Sequence, residues 1–515
     1  MTRADFLKTL GLAALAKGAS AGQTPNVLFI AVDDLRPELG IYGAAHVHSP
    51  RIDALGRSGT VFTHAYCQQA VCNPSRASLM TGLRPDTLRV WNLQTDFRTT
   101  KPEAVTVTQA FMSAGYSAVS IGKIFHNVLP DHASWSEPEM HLNGYPFDPD
   151  AVYRSDDDTV WIEHRKEQLK SAGQEQRHID EYGQWYLKSA ATESPDVPDN
   201  AYYDGAQTDA AIRKLGELKD RKQPFFFGVG YYRPHLPFNA PKKYWDLYDR
   251  AKIPLSPNPF LPKNAPPMAA NMNRELRGYR DFADVPTPHQ GSVTEAQARL
   301  LRHGYFASVS YIDAQIGRLL DELDRLGIAD NTIVVLWGDH GWKLGDHNGW
   351  GKMTNYEIDT RVPLIMRVPG IRGGQVCQRL VELVDLYPTL CELVGIPRRP
   401  ELEGSSMVPL LHNPKRPWKP AVFSQFLRDG IWVAPDGVVY MGNSIRTEHY
   451  RYVEWLRWQD KVQVATELYD LRRDPLENTS LANVSLKDAH ELQAKLARQL
   501  HDGWRTATKG LPAAI

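Results

Sequence analysis

The chain has 515 residues, 42% of them hydrophobic, and a formal net charge of −1. That is a globular composition with length for about two to four structural units. Near-neutral charge, with no block of like-charged residues, offers no electrostatic footprint for a nucleic-acid partner.

Residues 1–22 carry Arg3 and Lys8, a short apolar run from Leu10 to Ala16, and the triplet Ala19-Ser20-Ala21. This pattern predicts a cleavable export signal, and the apolar run is too short to span a bilayer. Arg3 with Phe6-Leu7-Lys8 resembles a twin-arginine signal lacking one arginine; an amphipathic N-terminal helix is the alternative. The expected location is periplasmic or extracellular. No other stretch approaches the ~18 apolar residues of a membrane helix, so no membrane span is expected.

Asn26–Val32 is a continuous apolar run, too short for a helix, that ends in Asp33-Asp34. It reads as a buried strand of a parallel sheet. Three further runs share the design. Tyr116–Gly122 leads to Lys123 and His126, Pro224–Gly230 leads to Arg233-Pro234-His235, and Thr332–Trp337 leads to Gly338-Asp339-His340-Gly341. Helical periodicity lies between them, at Thr106–Ala114 and Phe306–Leu326. Strand–helix alternation predicts an α/β domain. Each polar cluster alone is an ordinary turn or helix cap. Four of them at the carboxyl ends of strands mark the edge where open α/β sheets bind ligands.

Residues 136–200, polar and charged, and 253–296, rich in proline, are expected to be long loops walling a pocket. Trp342, His347 and Trp350 are expected to help shape it. After about residue 413 the texture changes. Val438–Met441, Arg451–Val453 and Glu467–Leu471 read as strands, Asp474–Glu477 as a turn, and Lys487–Trp504 as a helix. The expected division is an export signal at 1–22, a catalytic α/β domain at 23–412 and a smaller α+β unit at 413–515.

If Asp33, Asp34 and Asp339 converge, their charges conflict. Two carboxylates ~4 Å apart repel by ~4 kcal/mol at an effective dielectric of ~20. A hard divalent cation resolves this, and oxygen ligands favour calcium, or magnesium, over zinc. His340 is a less usual calcium ligand. The alternative is three separate, solvated turn aspartates.

The four cysteines, Cys67, Cys72, Cys377 and Cys391, have no zinc spacing. Cys67 with Cys72, and Cys377 with Cys391, could pair in an oxidising compartment. Cys72 is nevertheless distinctive. Pro74 suits the first turn of a helix, which places Cys72 at a helix N-terminus. That end favours an anion, and Ser75 and Arg76 add donors and charge. Either a catalytic thiolate or a modified residue facing an anionic substrate fits.

Cys72-Asn73-Pro74-Ser75-Arg76 followed by Leu79-Met80-Thr81-Gly82 resembles the signature of the type I sulfatases, which carry formylglycine in place of this cysteine. QQAVCNPSRASLMTGLRPDT, IGKIFH, GVGYYRPHLPF, YFASVSYIDAQIGRLL, GDHGWKLGDHNGWGK and MGNSIRTEHYRY extend the resemblance over most of the chain, toward the iduronate-2-sulfatase branch. It implies an alkaline-phosphatase-like α/β domain, with a mixed, mostly parallel sheet flanked by helices, and a smaller C-terminal domain with an antiparallel sheet and a helix. It implies a calcium site formed by Asp33, Asp34, Cys72, Asp339 and His340. It further implies a maturation enzyme that reads Cys-x-Pro-x-Arg and converts Cys72 to formylglycine. One hydroxyl of the hydrated aldehyde attacks sulfur; the other then expels sulfate. Arg76 is expected to hold the hydrated aldehyde, and Lys123 and Lys352 to bind sulfate oxygens. His235 is expected to protonate the leaving oxygen and His126 to act as the base. The implied substrate is a sulfated saccharide such as a 2-O-sulfated uronate. A phosphate or phosphonate monoester hydrolase of the same superfamily, and an inactive glycan-binding relative, are the alternatives.

Overall fold

The computed structural model describes residues 24–126, 129–140, 142, 152–178, 187–430, 434–482 and 487–511. The expected export signal at 1–22 lies outside them. In chain order the elements that position the site begin with β1 (Asn26–Val32), β2 (Thr60–Tyr66), α1 (Cys72–Thr81) and β3 (Ser117–Gly122). They continue with α2 (Tyr203–Asp220), β4 (Phe225–Tyr231), α3 (Glu295–Arg325), β5 (Thr332–Gly338) and β6 (Arg361–Arg367). β7 (Ala421–Arg428), β8 (Tyr440–Thr447), β9 (Tyr450–Arg457), β10 (Gln463–Asp470) and α4 (Lys487–Ala507) complete the set.

The large sheet has eight strands. Its order is Gln375–Cys377, β2, β6, β5, β1, β4, β3, with Val381–Glu382 also on β2. β1 is central and parallel to both β4 and β5, and β3 is parallel to β4. β6 runs antiparallel to both its neighbours. Pro363, which has no N–H to donate, sits where the β6–β2 register shifts between Val362 and Leu364.

Strand alternation sorts the core. Leu28, Ile30 and Val32 face one side, against Leu215 and Leu218 of α2 and Val309, Ile312 and Ile316 of α3. Val27, Phe29 and Ala31 face the other, against Ala77, Leu79 and Met80 of α1. Because both faces are covered, β1 is apolar throughout and fully buried. Each buried Leu, Ile, Val or Phe contributes about 1.5–3 kcal/mol. The parallel register then aligns the carboxyl ends of β1, β3, β4 and β5 along one edge.

A second sheet, β7-β8-β9-β10, is antiparallel. Leu492, Leu496 and Leu500 of α4 pack on Ile445, Tyr452 and Leu468. The Gln425 amide donates to the Gln68 carbonyl at 2.8 Å, and Ser424 Oγ donates to the Cys67 carbonyl at 2.6 Å. These bonds tie the second sheet to the segment joining β2 to α1.

All four expected strands form. α3 begins about three turns before Phe306, where Thr294 and Gln297 build a reciprocal capping box. The stretch 253–296 is irregular, with short helical turns at Pro267–Ala269 and Leu276–Gly278. The stretch 136–200 departs from expectation: it contains a helix, Asp156–Ser171, whose first turn is capped by Ser155. Among the described residues no helix is long and apolar enough to cross a membrane.

Two glycines let β3 and β4 meet beneath Lys123. Gly122 has φ +75°, and a Cβ on Gly230 would lie 2.2 Å from both the carbonyl carbon and oxygen of Lys123. Gly230→Ala is expected to lower stability by about 1–3 kcal/mol, as overpacking does, read by urea unfolding.

Candidate active site

Cys72 is the first residue of α1, preceded by Val71 in extended conformation. Asn73 turns away from the site; its amide donates to the carbonyls of Asn92 and Thr95, both at 2.9 Å. Arg76, one turn further on, faces the same way as Cys72. Its Nε donates to Asp339 Oδ2 at 2.8 Å and its Nη2 to Asp33 Oδ1 at 3.1 Å. Nη1 donates to the carbonyl of Ile124 at 3.1 Å and to that of Lys123. One guanidinium thus joins the ends of β1, β3 and β5, and it is 0% exposed.

Asp34 has a left-handed backbone, φ 57°, and its amide donates to Asp339 Oδ1 at 3.1 Å. Lys123 Nζ lies 2.6 Å from Asp33 Oδ2, and Lys352 Nζ lies 2.6 Å from Asp34 Oδ1. The Cys72 sulfur sits among these groups. It is 3.3 Å from His340 Nε2, 3.4 Å from Lys352 Nζ, 3.6 Å from Asp33 Oδ1 and 3.8 Å from Lys123 Nζ.

Three carboxylates therefore meet three basic side chains, so their mutual repulsion is already answered within the protein. The expectation that repulsion alone demands a metal is corrected on this point. The donor set makes the case instead. One ligand atom each from Asp33, Cys72, Asp339 and His340 lie within 4.8 Å of one another. His340 Nδ1 donates to the Gly341 carbonyl at 3.1 Å. Its Nε2 lone pair in the neutral ring then faces Asp339 Oδ2 at 3.4 Å and Asp34 Oδ1 at 3.5 Å. A lone pair aimed at carboxylates suits an intervening cation. Among the described residues Asp34 Oδ2 is buried without a hydrogen-bond partner. These residues fit a divalent ion.

Electrostatics divide the two adjacent aspartates. Burial opposes ionisation of both. At Asp33, Lys123 and Arg76 outweigh it and hold the carboxyl well below the usual range. At Asp34, burial wins over Lys352 and His235, and the carboxyl is pushed up to about 6. Burial and then Asp33 push the Cys72 thiol up to about 12. Burial thus outweighs the helix N-terminus at this thiol.

The family profile described as Sulfatase matches residues 25–396. The chain belongs to the sulfatase family. A second profile, described as N-sulphoglucosamine sulphohydrolase, C-terminal, matches residues 345–505. Iduronate 2-sulfatase of Mus musculus is 33% identical, covering 92% of this sulfatase and 94% of its own length. The Homo sapiens protein of that name is 34% identical, covering 89% and 91%. Among solved structures, the phosphonate monoester hydrolase of Agrobacterium radiobacter superposes with a TM-score of 0.71 at 24% identity, covering 94% and 95%. A structure bound to its substrate D-glucosamine-2-N,6-O-disulfate gives 0.67 at 20% identity, covering 93% and 99%. At these identities the structures speak to the fold alone: the sulfatase has the alkaline-phosphatase-like α/β architecture.

The two sulfatase histidines differ in setting. His126, in the loop after β3, has a buried Nδ1 with no partner among the described residues. Burial, then Lys123, hold its ring well below the usual histidine range, so it is neutral. His235 follows β4. Its Nδ1 donates to the Leu236 carbonyl at 2.5 Å, and its Nε2 lies 2.8 Å from Glu275 Oε1. Both ring nitrogens thus face acceptors, an arrangement met by the doubly protonated ring.

Glu275 was not expected. It lies in the proline-rich loop with no local pattern to announce it, and its second oxygen is 3.8 Å from Lys352 Nζ. Burial opposes its charge, but Lys352 and His235 hold it far below the usual range.

Trp342, His347 and Trp350, expected to shape the pocket, are all buried, as are Cys72, Lys123 and Lys352. The Trp342 ring lies 5.3 Å from the Lys352 ammonium and supports the site from within the core. The His347 ring lies tilted against Tyr356 at 4.6 Å, and Trp350 packs in the apolar core. Neither makes a polar contact with the cluster among the described residues. The disulfide alternatives are likewise set aside, since all four cysteines are free and buried.

Asp34 supplies a pH test of the metal set. Its folded value of about 6 exceeds the ordinary 3.8. Its contribution to stability is therefore complete below the lower value and lost as pH rises through the upper one. A cation ligated by ionised Asp34 reverses that loss. Calcium at ~100 times its Kd adds ~2.7 kcal/mol of stability, so the expected rise in Tm is larger at about pH 7.5 than at about pH 5, and EDTA abolishes it. Equal rises at both pH values would remove Asp34 from the ligand set.

Proposed function

We propose that this sulfatase removes sulfate from a sulfated saccharide of the 2-O-sulfated uronate class, using a formylglycine made from Cys72 and a divalent cation, calcium or magnesium. The carrying observation is the position of Cys72. Its sulfur lies within 4 Å of two metal-ligand side chains and two lysines, inside a Cys-x-Pro-x-Arg sequence. Iduronate 2-sulfatase relatives, 33% and 34% identical over most of the chain, support the substrate class.

A formylglycine at position 72, once water has added to give the geminal diol, supplies two hydroxyls, one to displace the sugar alcohol from sulfur and one whose deprotonation expels sulfate and restores the aldehyde. A bound divalent ion supplies charge withdrawal from sulfate oxygens and a lower pKa for the attacking hydroxyl. The ligands for that ion are Asp33, Asp34, Asp339 and His340 together with position 72. Lys123 and Lys352, flanking that position, bind sulfate oxygens and answer the charge that grows on them in the transition state. Arg76 commits four of its five donors to Asp33, Asp339 and two carbonyls, so it fixes the ligands in addition to its expected role of holding the hydrated aldehyde. His235 holds a proton toward Glu275 and Asp34 and delivers it to the departing alcohol. His126, kept neutral, takes the proton from position 72 when sulfate leaves.

The partner that performs the conversion is a formylglycine-generating enzyme. Residues 72–76 are all buried once α1 has formed, so that enzyme meets the motif in an unfolded chain. Export through residues 1–22 to the periplasm or beyond completes the reading.

Mass spectrometry of the tryptic peptide spanning Ser58–Arg76 is expected to show loss of sulfur at position 72, with Cys67 intact. Cys72→Ala is expected to abolish turnover while leaving Tm unchanged. A fully active protein with unmodified Cys72 would falsify the mechanism. In parallel, aryl sulfate should be hydrolysed in preference to aryl phosphate; the reverse order would favour a phosphoester hydrolase.

Glu275→Gln removes the carboxylate that favours doubly protonated His235. The expected result is a kcat lower by about 10²-fold, the low end for an acid–base group, with the alkaline limb of the pH–rate profile moved to lower pH. An unmoved limb would deny Glu275 this role.

A further inference from the structure

A cavity of about 670 Å³ lies between the second sheet, the start of Pro85–Leu88 and the end of α4. None of its lining residues belongs to the catalytic cluster. Its floor follows from strand register. On the face of the sheet beneath α4, one row reads Phe423, Ile445, Tyr452 and Leu468, and the helix covers it. The row two residues along reads Gln425, Asn443 and Glu454. There the helix path breaks: Gly503 has φ 71° and ψ 180°. The break brings the Trp504 ring to 5.2 Å from the Arg84 guanidinium, as one wall of the cavity.

Two buried groups at this cavity are unmet. Gln68 is 1% exposed and Arg84 is 7% exposed. Among the described residues neither Gln68 Nε2, Gln68 Oε1 nor Arg84 Nε has a hydrogen-bond partner. A buried polar group left unpaired costs about 1–3 kcal/mol, so these atoms call for an occupant with donors and acceptors. The other charged groups at the cavity are met: Arg84 pairs with Glu382, Arg505 lies 3.5 Å from Glu403, Glu454 lies 2.8 Å from His501 Nε2, and Asp86 accepts from the Gln425 and Trp91 side chains. Lys461 pairs with no acid among the described residues and rests 3.2 Å from the Trp458 ring centre.

We propose that this cavity is an auxiliary binding site for a sulfated saccharide, separate from the catalytic centre. The amide row and the unpaired Gln68 meet sugar hydroxyls, Lys461 meets sulfate, and the volume lies within the ~300–1,000 Å³ of ligand pockets. The proposal rests on the saccharide reading of the substrate, but its test does not require turnover.

Calorimetric titration of the full-length Cys72→Ala protein with a heparin-derived hexasaccharide, before and after adding Asn443→Ala with Lys461→Ala, decides the matter. The expected result is affinity about tenfold weaker, from one lost hydrogen bond and one lost ionic contact, with Tm unchanged. Lys461→Ala alone, at the exposed rim, gives part of that loss without any demand on folding. An isotherm that both variants leave unchanged overturns the proposal, as does equal affinity for uncharged maltohexaose. A hexasaccharide that binds in this way but is never desulfated by the active enzyme sinks the substrate reading and leaves the auxiliary site standing.

Discussion

The catalytic edge depends on one buried guanidinium. Arg76 spans carboxylates that end two different strands and carbonyls that follow a third. Its own desolvation is large, and truncating one member of such a buried ionic set costs about 3–5 kcal/mol because the others are left unpaired. Asp33 and Asp339 are thereby held at a fixed separation before any ligand arrives. α1 supplies Arg76 and Cys72 from the same face, so the group that sets the carboxylates also sets the distance from them to position 72. The stacking of the guanidinium over Trp337, 5.5 Å away, anchors it to β5 from the side.

Charge follows from that arrangement. Three acids and three bases balance among these side chains, with Lys123 and Lys352 each against an aspartate. A divalent cation held by these residues would make the site positive and leave both ammonium groups available to an anion. A singly charged sulfate ester would then meet surplus positive charge where hydrogen bonds and ion pairs are strong because water is excluded. Glu275 would temper that surplus beside His235.

Much of this was legible before the fold was seen, because the residues concerned sit next to loud local signals. Asp33-Asp34 and Asp339-His340 each follow an uninterrupted apolar run, and Pro74 announces the start of α1. The signals fail where structure depends on distant partners. β2 carries Thr60, Thr63 and His64, which blur its alternation, and β6 contains Pro363, normally a mark against a central strand. Glu275 meets His235 and Lys352 only through folding of an irregular loop. Trp342 lies beside Lys352 while Trp350 packs in the apolar core, a division that sequence does not show. Arg76 was placed in the site, but sequence does not show how many of its donors neighbouring carboxylates and carbonyls take.

The order of synthesis adds a temporal side to these contacts. Ser75 and Arg76 find their partners on Asp339, more than 260 positions later, and Cys67 is held by Ser424, 357 positions later. At ~5–20 residues per second of translation, the stretch around position 72 emerges tens of seconds before Asp339 and Ser424 exist to complete its enclosure. The long sequence separation of these last partners delays closure of the segment by an interval that the ribosome, rather than the fold, determines.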